Sequence, residues 1–248
     1  MRVAENGRGP LPPGAIDRLP CGRVTRLRTV FGALGLAVGL AAAPAASAAP
    51  QQQDERPAAA ARPQACTGKF HDDARLGPKW LPNKRLAPVG PLLKGYQRTG
   101  ALSPGAFLKK YWVGPADSGS WKYPPNDGFA EVNGEVDKEP TKLRTGRRLD
   151  RFGSEFGGYL APAGDPYAER ALPPQNLNTR EPAAPCDYHT YKVSKPFWVW
   201  QGSTAPWFEQ PGGGQQIKLD AVFLDPGAGQ RLNVKWLVDH KYLARADA

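Results

Sequence analysis

Trp121-Lys122-Tyr123-Pro124-Pro125-Asn126-Asp127-Gly128-Phe129 packs three aromatics, two prolines and a turn tripeptide into nine positions, with neither a helical nor a strand period. The prolines fix φ and remove two backbone donors, so Tyr123-Pro124-Pro125 is predicted to be extended. Asn126-Asp127-Gly128 then reverses the chain, since Asn and Asp bond their own backbone and Gly accepts a positive φ. A loop this stiff and aromatic points to a built wall.

Similar punctuation runs through the chain. Gly and Pro make up 55 of 248 residues, about 22% against a usual figure of about 12%, which argues for short elements joined by shaped loops. Helices are predicted at 91–97 and 103–112; in the second, Ser103 can cap and Pro104 suits the first turn. Strand patterns follow at 188–193, 197–201, 216–223 and 231–237, with weaker ones at 130–136 and 158–161. There is no internal repeat.

The N-terminus reads as a targeting signal. Arg23, Arg26 and Arg28 precede an apolar run from 30 to 43, and Ala46-Ser47-Ala48 supplies a small-residue cleavage pattern. Those 14 residues are too few to span a bilayer comfortably, so the mature form is expected to have no membrane segment and to be secreted. Residues 1–22, with Glu5, Asp17 and the interrupting Pro10, Pro12 and Pro13, are atypical of a signal's charged region, which raises the hypothesis that translation starts at Val24 rather than Met1. An intact peptide from 1–22 on the precursor would refute that start. Residues 49–65 read as a disordered linker, 66–112 as a helical N-terminal region and 113–248 as the catalytic domain.

Loss of residues 1–48 leaves 27 basic and 21 acidic side chains, a net of +6. That balance favours anionic partners but does not choose among nucleic acid, phosphate-bearing metabolites and cell-surface polymers. Cleavage also removes Cys21. The remaining pair, Cys66 and Cys186, suggests one disulfide in an exported chain, with two free thiols as the alternative.

Common sites are missing. His71, His189 and His240 lack metal-ligand spacing, and no metal site is expected from them. Neither a nucleophile elbow nor a dinucleotide fingerprint occurs, and Gln210-Pro211-Gly212-Gly213-Gly214-Gln215-Gln216 lacks the Gly-Lys-Ser/Thr ending of a phosphate loop.

What remains is an ordered series: Tyr123 to Phe129, Asp150-Arg151-Phe152-Gly153, Gly158-Tyr159-Leu160-Ala161-Pro162-Ala163-Gly164, Arg170-Ala171-Leu172-Pro173-Pro174, Tyr188-His189-Thr190-Tyr191-Lys192-Val193, and Ala205-Pro206-Trp207-Phe208-Glu209-Gln210 running on to Gln216. In that order these motifs resemble the tuberculosis necrotizing toxin domain family of NAD glycohydrolases. The part from Cys66 to Trp112 further resembles the secreted fungal members.

The resemblance implies a compact, strand-rich α+β fold of the ADP-ribosyltransferase-like toxin kind, and hydrolysis of the bond between nicotinamide and ribose. NAD+ or NADP+ would be the substrate, with no cofactor and no nucleic-acid partner. It implies functional roles for Arg151, Arg170, Tyr159, His189 and Gln216, with Phe129 at the border of the pocket. The arginines would take the pyrophosphate, Tyr159 would stack on a ring, His189 would donate to ribose or phosphate, and Gln216 would hydrogen-bond ribose or the attacking water. Each also has an ordinary reading: solvated arginines, a core tyrosine, a structural histidine beside Tyr188 and Tyr191, a polar strand residue.

The basic run Lys142, Arg144, Arg147, Arg148 reads either as a steering patch or as a solvated turn. Glu155 and Glu209 stand nearest the motifs, but the family lacks the catalytic glutamate of ADP-ribosyltransferases, so neither is assigned. Transfer of ADP-ribose to a macromolecule and a non-enzymatic polyanion-binding module are the competing functions. A structural calcium, a homodimer and an inhibitor partner are left open by the resemblance.

Overall fold

A computed structural model describes residues 64–246. The expected signal peptide, the Val24 start and linker residues 49–63 lie outside them. The first described segment is built of short 3-10 turns, at Phe70–Asp72, Ala74–Leu76 and Gly90–Leu93, and one helix, α1 (Pro104–Tyr111). Ser103 caps α1 by accepting from the Ala106 N–H, and Phe107 and Tyr111, four apart, bury one face. The helix predicted at 91–97 is shorter than its pattern, because the chain leaves the 3-10 turn after Leu93 and Gly95 takes a φ of 74°.

After α1 the chain is mostly strand. Two small ribbons are formed by β1 (Trp112–Val113) with β2 (Ser120–Trp121), and by β3 (Glu131–Val132) with β4 (Glu135–Val136). The seven-stranded sheet contains β5 (Glu139–Leu143), β6 (Arg148–Phe152), β7 (Tyr159–Pro162), β8 (Tyr188–Val193), β9 (Phe197–Ser203), β10 (Gln215–Lys218) and β11 (Leu243–Arg245). Its order is β11-β8-β6-β7-β10-β9-β5, with every neighbouring pair antiparallel. Pro140 is tolerated in β5 because that strand is an edge, where a missing N–H leaves no ladder bond unmade.

Two sequence expectations differ from the structure. The strand pattern at 231–237 gives way to helix, because Asn233 accepts from the Trp236 N–H and starts helix α2 (Val234–Asp239). Val234 and Leu237, three apart, are the residues this helix buries. The strand expected over 216–223 ends at Lys218, because Asp220 accepts from the Val222 N–H and the Trp200 Nε1–H and turns the chain.

One core lies under the sheet around Leu149, Leu160, Tyr191, Val199 and Ile217, closed by α2. A second joins Val89, Leu92 and Leu93 to Phe152, Tyr167, Leu177 and the Cys66–Cys186 disulfide. A third packs Leu76, Phe107 and Tyr111 around Phe208. The N-terminal segment thus shares two of its cores with the loops that follow the sheet strands. Among the described residues no helix is long and apolar enough to cross a membrane.

Candidate active site

Strand pleat decides which side chains can meet. Opposed residues of an antiparallel pair share a face, and that face alternates along each strand. Tyr159 opposes Lys218 and Asp150 opposes Ala161, which puts Tyr159, Ala161, Asp150, Gln216 and Lys218 on one face. Leu160, Ile217, Leu149 and Tyr191 fill the core on the other. Over the first face opens a cavity of about 410 Å³, lined by Tyr123, Asp127, Gly128, Asp150, Arg151, Tyr159, Arg170, Asn176, Thr204 and Gln216 among others.

The opening loop supplies one wall as its sequence suggests. Pro125 is extended, and Asn126, Asp127 and Gly128 all take positive φ in a 3-10 turn. That turn delivers the Asp127 carbonyl to the Nε2 of Gln216, which donates to it at 2.9 Å. A methyl group on Gly128 would stand 3.0 Å from the Gln216 Oε1, so the bare glycine lets the amide lie flat against the turn. Tyr123 packs edge-on to Phe208, with ring centroids 5.7 Å apart.

Charge in the cavity is distributed unevenly. Asp150 is fully buried and forms a forked pair with the Arg170 guanidinium; its Oδ2 also accepts from the Tyr188 hydroxyl at 2.9 Å and the Gly164 N–H at 3.0 Å. Arg170 gives two further bonds to the Asp165 carbonyl, so four of its five N–H groups are engaged. Asp127 pairs with Lys218 at 2.9 Å.

Arg151 is different. It donates only to carbonyls, Ser154 O at 2.8 Å and Tyr159 O at 2.5 Å, and among the described residues no carboxylate lies within ion-pair distance of it. It fills the gap where β6 and β7 part after the Asp150–Ala161 pair, and a methyl group on Gly157 would collide with its Nη2 at 2.0 Å. Burial pulls its pKa below the ordinary arginine value, yet its range keeps it a cation at neutral pH. Tyr159 is 37% exposed, and burial of its hydroxyl end, with Asp127 nearby, pushes the phenol up, so it stays neutral.

Four residues named from sequence, Arg151, Tyr159, Arg170 and Gln216, therefore come together. Two do not. Phe129 is 1% exposed and absent from the lining; it bridges to Thr204 and lies under Lys138, which makes it a buttress behind the wall. His189 is absent from the lining; it lies on the Tyr191 side of β8, with its ring toward Tyr191 and its Nε2 3.3 Å from the Asp187 Oδ1. Glu155 is held by Tyr191 and Arg245, and Glu209 by Lys110 and Tyr111, so neither lines the cavity. Sequence reading gave Asp150 no role, although its place between Leu149 and the motif residues Arg151 and Phe152 marks a carboxylate set beside core positions. Among the described residues no group of three or more His, Cys, Asp or Glu is placed to hold a metal ion.

The sequence profile described as tuberculosis necrotizing toxin matches residues 142–246, beginning beyond the opening loop. The chain is 45% identical over 179 residues to the conidial surface nicotinamide adenine dinucleotide glycohydrolase nadA of Aspergillus fumigatus, covering 71% of this chain and 70% of that protein. Among solved structures it is similar to the tuberculosis necrotizing toxin complexed with its immunity factor, with 24% identity, a TM-score of 0.44, and coverage of 58% of this chain and 71% of that one. It is more distantly similar to Tse6 in complex with Tsi6, at 15% identity and a TM-score of 0.27, over 45% of this chain and 72% of that one.

Proposed function

The chain belongs to the tuberculosis necrotizing toxin family, and from that premise we propose that it is an NAD(P)+ glycohydrolase, releasing nicotinamide and ADP-ribose. The observation that carries this reading in the structure is the pairing state of the cavity's charges. Both lining carboxylates are neutralised by cations, whereas Arg151 is left to meet an anion.

That arrangement suits the bond to be cleaved. Nicotinamide leaves a cationic pyridinium as a neutral base, so little acid assistance is needed, and the ribose gains oxocarbenium character as it departs. Water adds to the ribose carbon and one proton is released. The Gln216 carbonyl can accept from that water or from a ribose hydroxyl without adding a full negative charge. Arg151 takes the pyrophosphate and Tyr159 stacks on a ring. Arg170, tied to Asp150, shapes the cavity floor. His189 and Phe129 act from behind it. The strand-rich sheet is read as ADP-ribosyltransferase-like, and the protein as exported, in keeping with the signal pattern and the disulfide. In this reading NAD+ or NADP+ is substrate and the chain carries no redox cofactor.

The purified protein mixed with NAD is expected to yield nicotinamide and ADP-ribose in equal amounts. Intact NAD after prolonged incubation with folded protein would overturn the proposal. With both lining carboxylates among the described residues held by cations, we read water as the acceptor, and labelled NAD should mark neither protein nor nucleic acid. Gly128→Ala tests the turn that seats Gln216. With a φ of 86° and a 3.0 Å approach to Oε1, it is expected to lose about 1–2 kcal/mol of stability and about tenfold in kcat. Melting and initial-rate measurements on the same sample check both.

A further inference from the structure

Among the described residues, Thr204 brings to the cavity a buried hydroxyl that the fold leaves without a hydrogen bond. Thr204 is 5% exposed, its Oγ1 is not sealed from solvent, and the little surface it keeps borders the cavity. Other lining side chains are already engaged: Asp150 with Arg170, Asp127 with Lys218, and Asn176 through an Nδ2–H bond to the Phe152 carbonyl at 3.2 Å. The Tyr123 and Tyr159 rings, 58% and 37% exposed, reach bulk water. Thr204 has neither resource.

Strand register sets that hydroxyl beside Gln216. Gly202 opposes Gln216, and Thr204, two residues on, continues along the same face, its N–H donating to the Gly214 carbonyl at 2.8 Å. Diagonal residues of an antiparallel pair stand about 7–8 Å apart, within reach of a long side chain. The other two corners of that square are Gly202 and Gly214, which put no side chain between Thr204 and Gln216. Gly128 borders both: its carbonyl accepts from the Ala205 N–H at 2.9 Å, and a methyl group on it would stand 3.0 Å from the Gln216 Oε1. An unmet hydroxyl and an amide oxygen therefore share one end of the cavity. A ring laid there would leave the hydroxyl unsatisfied, whereas a sugar hydroxyl can both donate to it and accept from it.

We propose that Thr204 is a specificity-determining residue whose hydroxyl bonds the 2′- or 3′-hydroxyl of the nicotinamide ribose, beside Gln216. This rests on the glycohydrolase reading above. The test compares initial rates of wild type and Thr204→Val, which keeps the branched shape and loses the hydroxyl, on NAD and on analogues whose nicotinamide ribose lacks either hydroxyl. Thr204→Val is expected to lose about tenfold in kcat/KM on NAD, the order for one buried hydrogen bond. Removing one of the two ribose hydroxyls should cost wild type about tenfold more than it costs the variant. The intrinsic reactivity of a deoxyribosyl bond is common to both proteins and cancels. Thr204→Ser, which keeps the hydroxyl, should stay within about threefold of wild type on NAD and retain the wild-type penalty.

Equal penalties for both analogues in wild type and a normally melting Thr204→Val protein would overturn the proposal, since a residue that only packs behind the wall lowers all rates alike. Should Thr204→Val melt poorly, Thr204→Ser against Thr204→Ala reads the same ratios. If the wild-type protein leaves NAD intact, the glycohydrolase reading falls instead. Calorimetry with NAD and the two analogues then decides Thr204 separately: a penalty present in wild type and missing in the variant supports the ribose contact, and equal penalties or no binding overturn it.

Discussion

Gln216→Ala is expected to lower kcat for NAD hydrolysis by about 10²–10³, or about 2.7–4 kcal/mol in barrier, the scale of losing one preorganised polar group at a reacting centre. KM should change little, because in the proposed mechanism the amide meets charge and water that develop in the transition state rather than the resting dinucleotide. Stability should move by no more than about 1 kcal/mol, since the side chain gives the fold one hydrogen bond, to the Asp127 carbonyl. Gln216→Glu separates shape from charge. A carboxylate would attract the cationic pyridinium of the ground state, so KM should fall while kcat stays low. Steady-state rates for the two variants read these outcomes, and an alanine variant within about fivefold of wild type would remove Gln216 from the centre.

Asp150→Ala is expected to be the most damaging single change to stability, at about 3–5 kcal/mol. The carboxylate is fully buried and serves Arg170, Tyr188 and the Gly164 N–H together, so its loss strands a guanidinium whose side chain is 6% exposed. Activity should fall with it, because Gly164 to Arg170 leads into the cavity wall. Replacing both partners, as in Asp150→Leu with Arg170→Met, should cost less than Asp150→Ala alone, since an apolar pair leaves no orphaned charge. Urea unfolding of the three proteins measures the difference. Equal stability of Asp150→Ala and wild type would mean that the pair carries no weight.

The strand at Tyr188–Val193 has the bounds its sequence predicts, although burial alternates only over Tyr191, Lys192 and Val193, Thr190 and Tyr191 being buried side by side. β5 and β6 were not legible. Their residues read as a basic turn, since Lys142 and Arg148 lie on strands whose pairing is set by distant partners in β9 and β8. Residues 231–237 carried both periods at once, and the Asn233 cap settled the contest in favour of helix. At the cavity, the motif order brought out Arg151, Tyr159, Arg170 and Gln216. It could not say which arginine was already neutralised, because Asp150 and Asp165 meet Arg170 only after the sheet forms. His189 and Phe129 belong to motifs yet lie outside the cavity lining, a matter of burial and strand position that residue identity does not carry.

The Cys66–Cys186 bond spans a sequence separation of 120 residues, and this gives the chain a ring and a tail. Asp127, Arg151, Tyr159 and Arg170 all lie inside the ring, while Gln216 comes from the tail, on a strand inserted between β7 and β9. A protease that nicks the exposed turn at 113–118 opens the ring but leaves one covalent molecule with every cation of the site still attached. A cut at 210–214 releases the segment that carries Gln216 from the rest of the chain. The two nicks differ in kind: after the first the disulfide still joins the pieces covalently, and after the second strand pairing alone holds the amide at the pocket.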